Sequence, residues 1–369
     1  MTTHRVEGVS LQGIASAVPK QSQGSDAFYE AFGEDTVRKI IKRTGVEERR
    51  ISQQLCTSDL CEAAAQELMQ SLGWEPSSID ALFFVSQTPD TSMPATACIL
   101  HYKLQLSPHC LALDINLGCS GYVYGLWFAS QLMMGGGIQR ALLLAGDTAS
   151  RFVSPLDRAT APLFGDAGSA TALASDPNAP SMFFQLGTDG SGAPHLKIPA
   201  GGYRRPSTEE TRQRISREDG GIRSEEELWM NGAEVFAFTL QRIPTLIQST
   251  LEEASCSIED LDAVVSHQAN RFLLKHLGRR MKLQPQQLPI NLDRYGNTSV
   301  ASIPLAMTTE LADSLSSQTQ KLALVGFGVG WSWGAAVLET SSLVMPPLLE
   351  LDEPDSSDAG NEVGRFHES

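Results

Sequence analysis

The sequence predicts an α/β fold made of two similar βα halves, and three observations support this prediction. Short, continuously apolar runs of strand length recur along the 369-residue chain, as in parallel strands that are buried on both faces. Helix-length stretches with apolar residues at helical spacing separate these runs. The same signals then return in the same order about 180 residues later, which predicts one βα module used twice.

The first half contains the first copy of this module. Its predicted elements are, in order, a strand at 5–18, a helix at 25–43, a helix at 57–72, a strand at 79–86, a strand from 111, a helix from 121 to 134 and a strand at 142–146. The continuous apolar character of the run at 79–86 is typical of a parallel strand covered by helices on both sides.

The second half repeats three of these elements. The strands at 79–86 and 142–146 are echoed by runs at 261–265 and 322–326, and the turn around Cys119 is echoed by a predicted strand at 289–292 that leads to Asn297. The predicted domains are therefore residues 1–175 and residues 176–344. Between the repeats, the glycine-rich run 187–202 and the charged run 204–227 predict an irregular surface excursion that could act as a lid.

Composition limits the classes of function. The chain is 41% hydrophobic and 19% charged, which is enough for a large core, and its net charge of −15 argues against a nucleic-acid partner. It shows neither a transmembrane run nor a signal pattern, so we expect a cytoplasmic protein without a membrane span. Residues 345–369 contain seven acids and one base, which predicts an acidic disordered tail. The six cysteines are scattered without metal-binding or disulfide spacing, so no metal site is expected.

Cys119 is the candidate nucleophile. It lies in the segment Gly118-Cys119-Ser120-Gly121, between a predicted strand and a predicted helix. The positive end of the helix dipole favours a thiolate at this position, and the flanking glycines allow a substrate to approach the backbone. The alternative is a buried structural cysteine, which is the usual explanation for a lone cysteine.

His267 and Asn297 are the candidate partners of Cys119. Each follows a predicted strand of the second half, and ligand chemistry in open α/β sheets gathers beyond the carboxyl ends of strands. A thiolate can attack a thioester and carry its acyl group, while an imidazole and an amide can donate hydrogen bonds to an oxygen that becomes negative. Taken alone, a histidine after a strand or a Gly-Asn turn is more often structural.

These residues carry a family resemblance. The turn at Cys119, the motif His267-Gln268-Ala269-Asn270, the motif Gly296-Asn297-Thr298-Ser299 and the glycine-rich segment 326–334 match the thiolase-like condensing enzymes in type and order. The chain most closely resembles the β-ketoacyl-(acyl-carrier-protein) synthase III group over about residues 5–340. The resemblance implies a thiolase-like five-layer αβαβα fold and a homodimer.

The resemblance also implies a two-step reaction without a cofactor beyond its thioester substrates. An acyl group moves from coenzyme A or from an acyl carrier protein to Cys119. A malonyl thioester then loses carbon dioxide, with His267 and Asn297 holding its oxygen, and its enolate attacks the acyl group. The backbone N–H groups of Cys119 and Val329 would hold the tetrahedral oxyanion.

Substrate binding is assigned in part by the same resemblance. It places Arg43, Arg158 and Asn270 at the coenzyme A site, and it places Met93 at the acyl pocket of the partner subunit. The chain departs from the pattern at two positions, which are Lys39 in place of a tryptophan and Phe272 in place of an arginine.

A basic helix face is a candidate docking site for a carrier protein. Arg271, Lys275 and Arg279 recur every four residues, which aligns them on one side of the predicted helix. Coenzyme A phosphates and acidic carrier proteins both favour such a patch, although a solvated helix face is its usual explanation.

Two alternatives to a condensing enzyme remain open from the sequence. One is a related acyltransferase that passes the acyl group to a hydroxyl or an amine without decarboxylation. The other is a catalytically silent subunit of a heteromeric synthase.

Overall fold

The computed structural model of the protein describes residues 2–354. Its strands, numbered in chain order, are β1 (Thr2–Val6), β2 (Val9–Pro19), β3 (Ser22–Gly24), β4 (Glu48–Arg50), β5 (Ala81–Val85), β6 (Leu111–Ile115), β7 (Arg140–Thr148), β8 (Asp166–Ser175), β9 (Met182–Thr188), β10 (Leu196–Lys197), β11 (Ile215–Ser216), β12 (Ile222–Arg223), β13 (Trp229–Met230), β14 (Ala263–Ser266), β15 (Gln320–Gly328), β16 (Ser332–Thr340) and β17 (Leu349–Leu351). Its α-helices are α1 (Tyr29–Phe32), α2 (Glu34–Thr44), α3 (Thr57–Leu72), α4 (Thr96–Lys103), α5 (Gly121–Met133), α6 (Glu209–Arg212), α7 (Gly232–Glu253), α8 (Arg271–Met281), α9 (Leu292–Tyr295), α10 (Ser302–Glu310) and α11 (Ala312–Ser317).

Two large mixed sheets organise the fold. The first has the strand order β17-β2-β8-β7-β5-β6, and the second has the order β1-β9-β16-β15-β14. Helices α5 and α10 pack between the sheets, α3 covers the outer face of the first sheet, and α7 and α8 cover the outer face of the second. This arrangement confirms the predicted five-layer αβαβα architecture.

Strand β7 shows why a continuous apolar run predicts a strand that is covered on both faces. In β7, Ala141, Leu143 and Ala145 belong to the cluster between the two sheets, whereas Leu142 and Leu144 belong to the cluster beneath α3. Successive side chains of a strand point to opposite faces, so a strand covered on both sides needs apolar residues at every position.

The first predicted strand is divided in the structure. Residues 5–18 contribute to both β1 and β2, and Gly8 lies between them with φ of +73°. A positive φ is readily available to glycine, and it turns the chain from the second sheet into the first. The predicted helix at 25–43 is likewise divided into α1 and α2 at Gly33, which has φ of +78°.

The predicted strand at 289–292 was wrong. Pro289 has no N–H to donate to a sheet, and the N–H of Asn291 donates to the side chain of Gln268 at 3.4 Å. Helix α9 begins directly afterwards at Leu292. Asn297 is therefore presented by irregular backbone, which pairs with the first half through a β-bridge to Phe164.

The prediction of a disordered tail was wrong for residues 345–354. Strand β17 pairs in parallel with β2, and the carboxylate of Glu353 accepts hydrogen bonds from the backbone N–H groups of Gln53 and Gln54 at 2.9 and 3.1 Å. Arg50 and Glu350 form an ion pair at 2.8 Å. These contacts hold the segment against the first sheet. Residues 355–369 of the predicted tail lie outside the described residues.

The predicted boundary at 175/176 falls between β8 of the first sheet and β9 of the second, and it stays a prediction of domain organisation. Within residues 2–354, no helix is both long enough and apolar enough to cross a membrane. The same residues contain no group of three or more potential side-chain ligands that could hold a metal ion.

Candidate active site

Cys119 lies at a tight turn between β6 and α5, on the wall of a cavity of about 910 Å³. The N–H of Gly121 donates to the carbonyl of Gly118 at 2.6 Å, which closes the turn. Gly328 lies directly against the sulfur, since a Cβ added at that position would be 3.1 Å from Sγ and 2.7 Å from the Cβ of Cys119. Glycine at position 328 therefore allows the loop after β15 to approach the nucleophile.

The surroundings of Cys119 favour its thiol form, whereas the helix dipole in the sequence analysis favours a thiolate. Burial raises the pKa of Cys119 to about 12, and the carboxylate of Asp147 acts in the same direction. The hydroxyl of Ser299 and the backbone N–H groups of Cys119 and Val329 lower this pKa, but by less. The two N–H groups that the sequence assigns to oxyanion binding thus already lie beside the sulfur.

His267 is buried at the carboxyl end of β14 and lines the same cavity. Its Nδ1 lies 2.8 Å from the hydroxyl oxygen of Ser302, which also accepts a hydrogen bond from the N–H of Gln268 at 3.3 Å. These contacts hold the ring and leave Nε2 available to a ligand. Burial lowers the pKa of His267 to about 3, so the imidazole is neutral at physiological pH.

Asn297 is also buried, and its amide is oriented by its own loop. The backbone N–H of Ser299 donates to Oδ1 of Asn297 at 2.9 Å, which fixes the oxygen side of the amide. The backbone of Asn297 bonds to Leu163 and Gly165 of the first half at 2.9 and 3.1 Å. The Nδ2 group is therefore the part of the side chain that can donate to a ligand.

The cavity brings together residues from both halves of the chain. Cys119, His267, Asn297 and Val329 all line it, and Sγ of Cys119 lies 4.0 Å from Oγ of Ser299. The site contains one soft nucleophile and several hydrogen-bond donors. Such a set can take up an acyl group and stabilise a developing negative oxygen.

Three of the predicted substrate-binding residues line the outer part of this cavity. Arg43 and Arg158 are exposed cations on its wall, as expected for a rim that attracts an anionic substrate. Asn270 also lines it, and its Oδ1 accepts from the N–H of Leu273 at 2.8 Å and so caps α8. Its amide group thus has a local structural role as well.

The other predicted residues lie outside the cavity wall. Met93 is 81% exposed in the single subunit, and its predicted position in the acyl pocket of a partner subunit stays a prediction. Lys275 and Arg279 are exposed on α8, while Arg271 packs against Gly45 at the end of α2. Gly45 has φ of +82°, and a Cβ there would lie 2.5 Å from the Arg271 side chain.

The sequence analysis did not identify two features of the site. Phe236 and Phe272 stack with their ring centroids 5.5 Å apart on the cavity wall. Phe236 belongs to α7, far from any motif, and no local pattern marks it. Ser302, which holds His267, could have been found as a hydroxyl at the start of the helix that follows Asn297.

The chain is similar to known proteins of one family. Residues 113–190 match the family model of 3-oxoacyl-[acyl-carrier-protein (ACP)] synthase III, and residues 251–340 match the model of its C-terminal part. The chain is 33% identical over 330 residues to the β-ketoacyl-[acyl-carrier-protein] synthase III of Clostridioides difficile, covering 89% of this chain and 97% of that protein. It is 35% identical over 305 residues to the protein of the same name from Natranaerobius thermophilus, covering 81% and 90% of the two chains.

A solved structure extends the likeness to the fold. The chain resembles the 3-oxoacyl-(acyl-carrier protein) synthase of Burkholderia xenovorans LB400 with a TM-score of 0.90 and 43% identity, covering 95% of this chain and 99% of that one. The structure of the 3-oxoacyl-(acyl carrier protein) synthase III of Pseudomonas aeruginosa PAO1 is similar with a TM-score of 0.77 and 28% identity, covering 92% and 100% of the two chains.

The raised pKa of Cys119 predicts a distinctive alkylation profile. Thiolate is the reactive form, so the rate of alkylation by iodoacetamide should still rise between pH 9 and pH 10, where free cysteine approaches its limiting rate. Peptide mapping by mass spectrometry would follow Cys119 separately from the other cysteines. A plateau below pH 8 would contradict the burial argument.

Proposed function

The chain belongs to the 3-oxoacyl-[acyl-carrier-protein] synthase III family, and we propose a role for each residue of its site in that family's chemistry. The protein is an acyl-transferring condensing enzyme. Its proposed substrates are an acyl thioester of coenzyme A or a carrier protein and a malonyl thioester, and the reaction uses no other cofactor. The observation that carries the assignment is the shared cavity of Cys119, His267 and Asn297.

In the first step, the sulfur of Cys119 forms a bond to the acyl carbonyl carbon, and the carbon–sulfur bond of the donor breaks. The negative oxygen of the tetrahedral intermediate accepts hydrogen bonds from the N–H groups of Cys119 and Val329. Both groups already act on the sulfur in the resting state. Little reorganisation is therefore needed at the moment of reaction.

In the second step, the malonyl thioester loses carbon dioxide and the electron pair of the broken bond forms an enolate. Nε2 of His267 and Nδ2 of Asn297 donate hydrogen bonds to the enolate oxygen. A neutral imidazole suits this role. The hydroxyl of Ser302 can donate a hydrogen bond to Nδ1, and the single ring proton then lies on Nε2, which can donate to the enolate. The enolate carbon then attacks the acyl group and releases the β-ketoacyl product from Cys119.

The rim of the cavity supports binding of coenzyme A or a pantetheine-bearing carrier. Arg43 and Arg158 supply positive charge for phosphate groups, and the stacked pair Phe236 and Phe272 offers an apolar wall further in. Phe272 is 45% exposed, and it occupies the position at which the family often has an arginine. The carrier therefore gains apolar contact there in place of a charge.

The basic face of α8, which consists of Arg271, Lys275 and Arg279, is the proposed docking surface for a carrier protein. Within residues 2–354, none of the three forms an ion pair, although the chain carries a net charge of −15. Positive potential on this face therefore remains available to an acidic partner. The face adjoins the cavity because α8 begins at Arg271, next to Asn270 and Phe272 of the cavity wall.

A homodimer is the proposed assembly. Strand β6 forms one edge of the first sheet and, within the described residues, pairs only with β5. Four of its five residues are apolar, and Leu111 is 45% exposed at its start. An exposed apolar edge readily takes a further strand, and a second copy of β6 would cover it. We propose that the same dimer also covers Met93, which is 81% exposed in the single subunit.

Acyl loading tests the proposed roles of the three residues. Intact-protein mass spectrometry with a panel of acyl-coenzyme A and acyl-carrier-protein donors should show one acyl adduct, which Cys119→Ala abolishes. His267→Ala and Asn297→Ala should still load, but their release of carbon dioxide from malonyl thioester should fall by about 100-fold or more. His109→Ala, at an exposed histidine, is the matched control.

Loading without any release of carbon dioxide would favour transfer to a hydroxyl or amine over condensation. Failure of Cys119 to load from every donor would instead favour a silent subunit. Normal turnover of malonyl thioester by both His267→Ala and Asn297→Ala would refute their assigned roles.

Charge reversal tests the docking surface. The double variant Lys275→Glu and Arg279→Glu should raise KM for carrier-protein substrates by about tenfold at low salt, and added salt should reduce the difference. The KM for coenzyme A substrates should stay unchanged, because neither residue lines the cavity. The control is Arg5→Glu, which reverses the charge of an exposed residue on β1. An equal loss with both donor classes would contradict a docking role.

Analytical ultracentrifugation tests the assembly. The wild-type protein should sediment as a dimer, and Leu111→Arg should shift it toward monomer, because the new charge would be desolvated at the paired edge. Met134→Arg changes an equally exposed apolar residue elsewhere and should leave the dimer intact. A wild-type monomer at micromolar concentration would refute the proposal.

A further inference from the structure

The charged excursion at 204–227 packs against the loop that carries Arg158, one of the two cations at the rim of the cavity. Its strands β11 and β12 form a two-stranded hairpin. The N–H of Ile222 in this hairpin donates to the carbonyl of Leu156 at 3.3 Å, and the hydroxyl of Ser154 donates to the carbonyl of Ile222 at 2.6 Å. The excursion therefore supports the Arg158 loop, although none of its own residues lines the cavity.

A buried ion pair joins the hairpin to the same loop. Nη1 of Arg223 lies 3.0 Å from Oδ2 of Asp157, and the two side chains are 7% and 3% exposed. Oδ1 of Asp157 accepts from the N–H of Ala159 at 3.0 Å, so one carboxylate connects the hairpin to the residues on both sides of Arg158. Asp219 also accepts two hydrogen bonds from Arg223. A buried charge is costly without its partner, so this pair keeps the hairpin and the loop together.

The turn of the hairpin lies directly against the guanidinium of Arg158. Gly220 has φ of +81°, and a Cβ added there would be 3.1 Å from Nη2 of Arg158. A Cβ at Gly221 would be 2.6 Å from Nη1 of Arg223 and 2.9 Å from Cγ of Asp157. The two glycines therefore let the backbone of the turn approach both the rim cation and the buried ion pair.

Arg158 needs this support because its own loop is irregular. Residues 153–163 contain no helix or strand. An arginine side chain is long and has several rotatable bonds, so its binding to an anion costs conformational entropy unless the side chain and its backbone are already held. Within residues 2–354, Arg158 forms no ion pair, so its positive charge is available to a phosphate group. A fixed loop therefore strengthens anion binding at the rim.

We propose that Arg223 is a positioning residue for coenzyme A binding, which acts through Asp157 to hold Arg158 at the rim of the cavity. The inference rests on the proposed function, in which Arg158 binds a phosphate group of coenzyme A. Arg223 does not line the cavity and acts only through its neighbours. The charged excursion thus contributes to the affinity for a phosphate-bearing donor, and it leaves the reaction at Cys119 unchanged.

Arg223→Met tests this role by comparing donors with and without phosphate groups. The variant leaves the buried Asp157 without its cationic partner, so the dissociation constant of coenzyme A in titration calorimetry should rise by about tenfold. In single-turnover loading, the half-saturating concentration of an acyl-coenzyme A should rise by the same factor. That of the matching acyl-pantetheine, which lacks phosphate groups, should stay within about twofold of wild type. The maximal loading rate should also stay within about twofold, because Cys119 is untouched.

Two further variants and a control separate positioning from a general loss of structure. Arg223→Lys keeps a cation beside Asp157 and should restore most of the affinity for coenzyme A. Gly220→Ala leaves the ion pair intact and displaces the guanidinium of Arg158, so it should weaken coenzyme A binding several-fold. Arg205→Met is the matched control, since Arg205 pairs with Glu225 elsewhere in the same excursion. The control should leave every constant within about twofold of wild type.

A double-variant cycle with Arg158 identifies the path of the effect. Arg158→Ala should weaken coenzyme A binding on its own. Adding Arg223→Met should then change the dissociation constant by less than about twofold, because the side chain that Arg223 holds in place is gone. Additive effects of the two variants would overturn the proposed path through Arg158.

The remaining outcomes separate this inference from the proposed function. A loss confined to coenzyme A donors supports positioning, whereas equal losses with acyl-coenzyme A and acyl-pantetheine overturn it in favour of a structural role. Unchanged coenzyme A binding by Arg223→Met overturns the inference alone. A wild-type protein that does not bind coenzyme A overturns it together with the proposed role of Arg158. If circular dichroism shows that Arg223→Met does not fold, the same comparison of donors with Gly220→Ala decides the question.

Discussion

The site depends on the close approach of two central helices at their N-terminal ends. Cys119 precedes α5 and Ser299 precedes α10, and their side-chain sulfur and oxygen lie 4.0 Å apart. This approach needs small residues, because a Cβ at Gly121 would lie 3.0 Å from a methyl carbon of Val300 and one at Gly118 would lie 3.4 Å from Oγ of Ser299. The two turns come from different halves of the chain, so neither half alone can form the site. The helices carry the reactive groups and also fill the layer between the sheets, which keeps the groups in a fixed geometry.

Burial gives the site its chemical character. Desolvation penalises the charged forms of both side chains, so it raises the pKa of Cys119 and lowers the pKa of His267. A neutral imidazole and an amide act as hydrogen-bond donors, and such donors are strong in a region of low dielectric constant. The cationic residues Arg43 and Arg158 are kept at the rim, where water solvates them. In the proposed reaction, an anionic carrier would therefore bind in one part of the cavity and a new oxyanion would be stabilised in another.

Local patterns in the sequence predicted most of the elements that carry the site, and their errors have local causes. Short apolar runs predicted β5, β7, β14 and β15, helical spacing predicted α3, and a long apolar run predicted α5. The predicted boundaries failed at Gly8 and Gly33, where a positive φ interrupts a continuous pattern. The predicted strand at 289–292 failed because Pro289 has no N–H to donate to a sheet. The order of residues 345–354 was missed because it depends on Glu353 reaching backbone N–H groups about 300 positions away.

The sequence by itself determined the class of fold, its internal repeat and the identity of Cys119, His267 and Asn297 as candidates, because periodicity and motif order are local properties of a chain. Only the tertiary structure decided the protonation states, since the pKa of a thiol or an imidazole depends on how deeply it is buried. It also decided which polar groups meet. Ser302 reaches His267 through the packing of separate elements, and a contact of that kind leaves no periodic signal in the sequence.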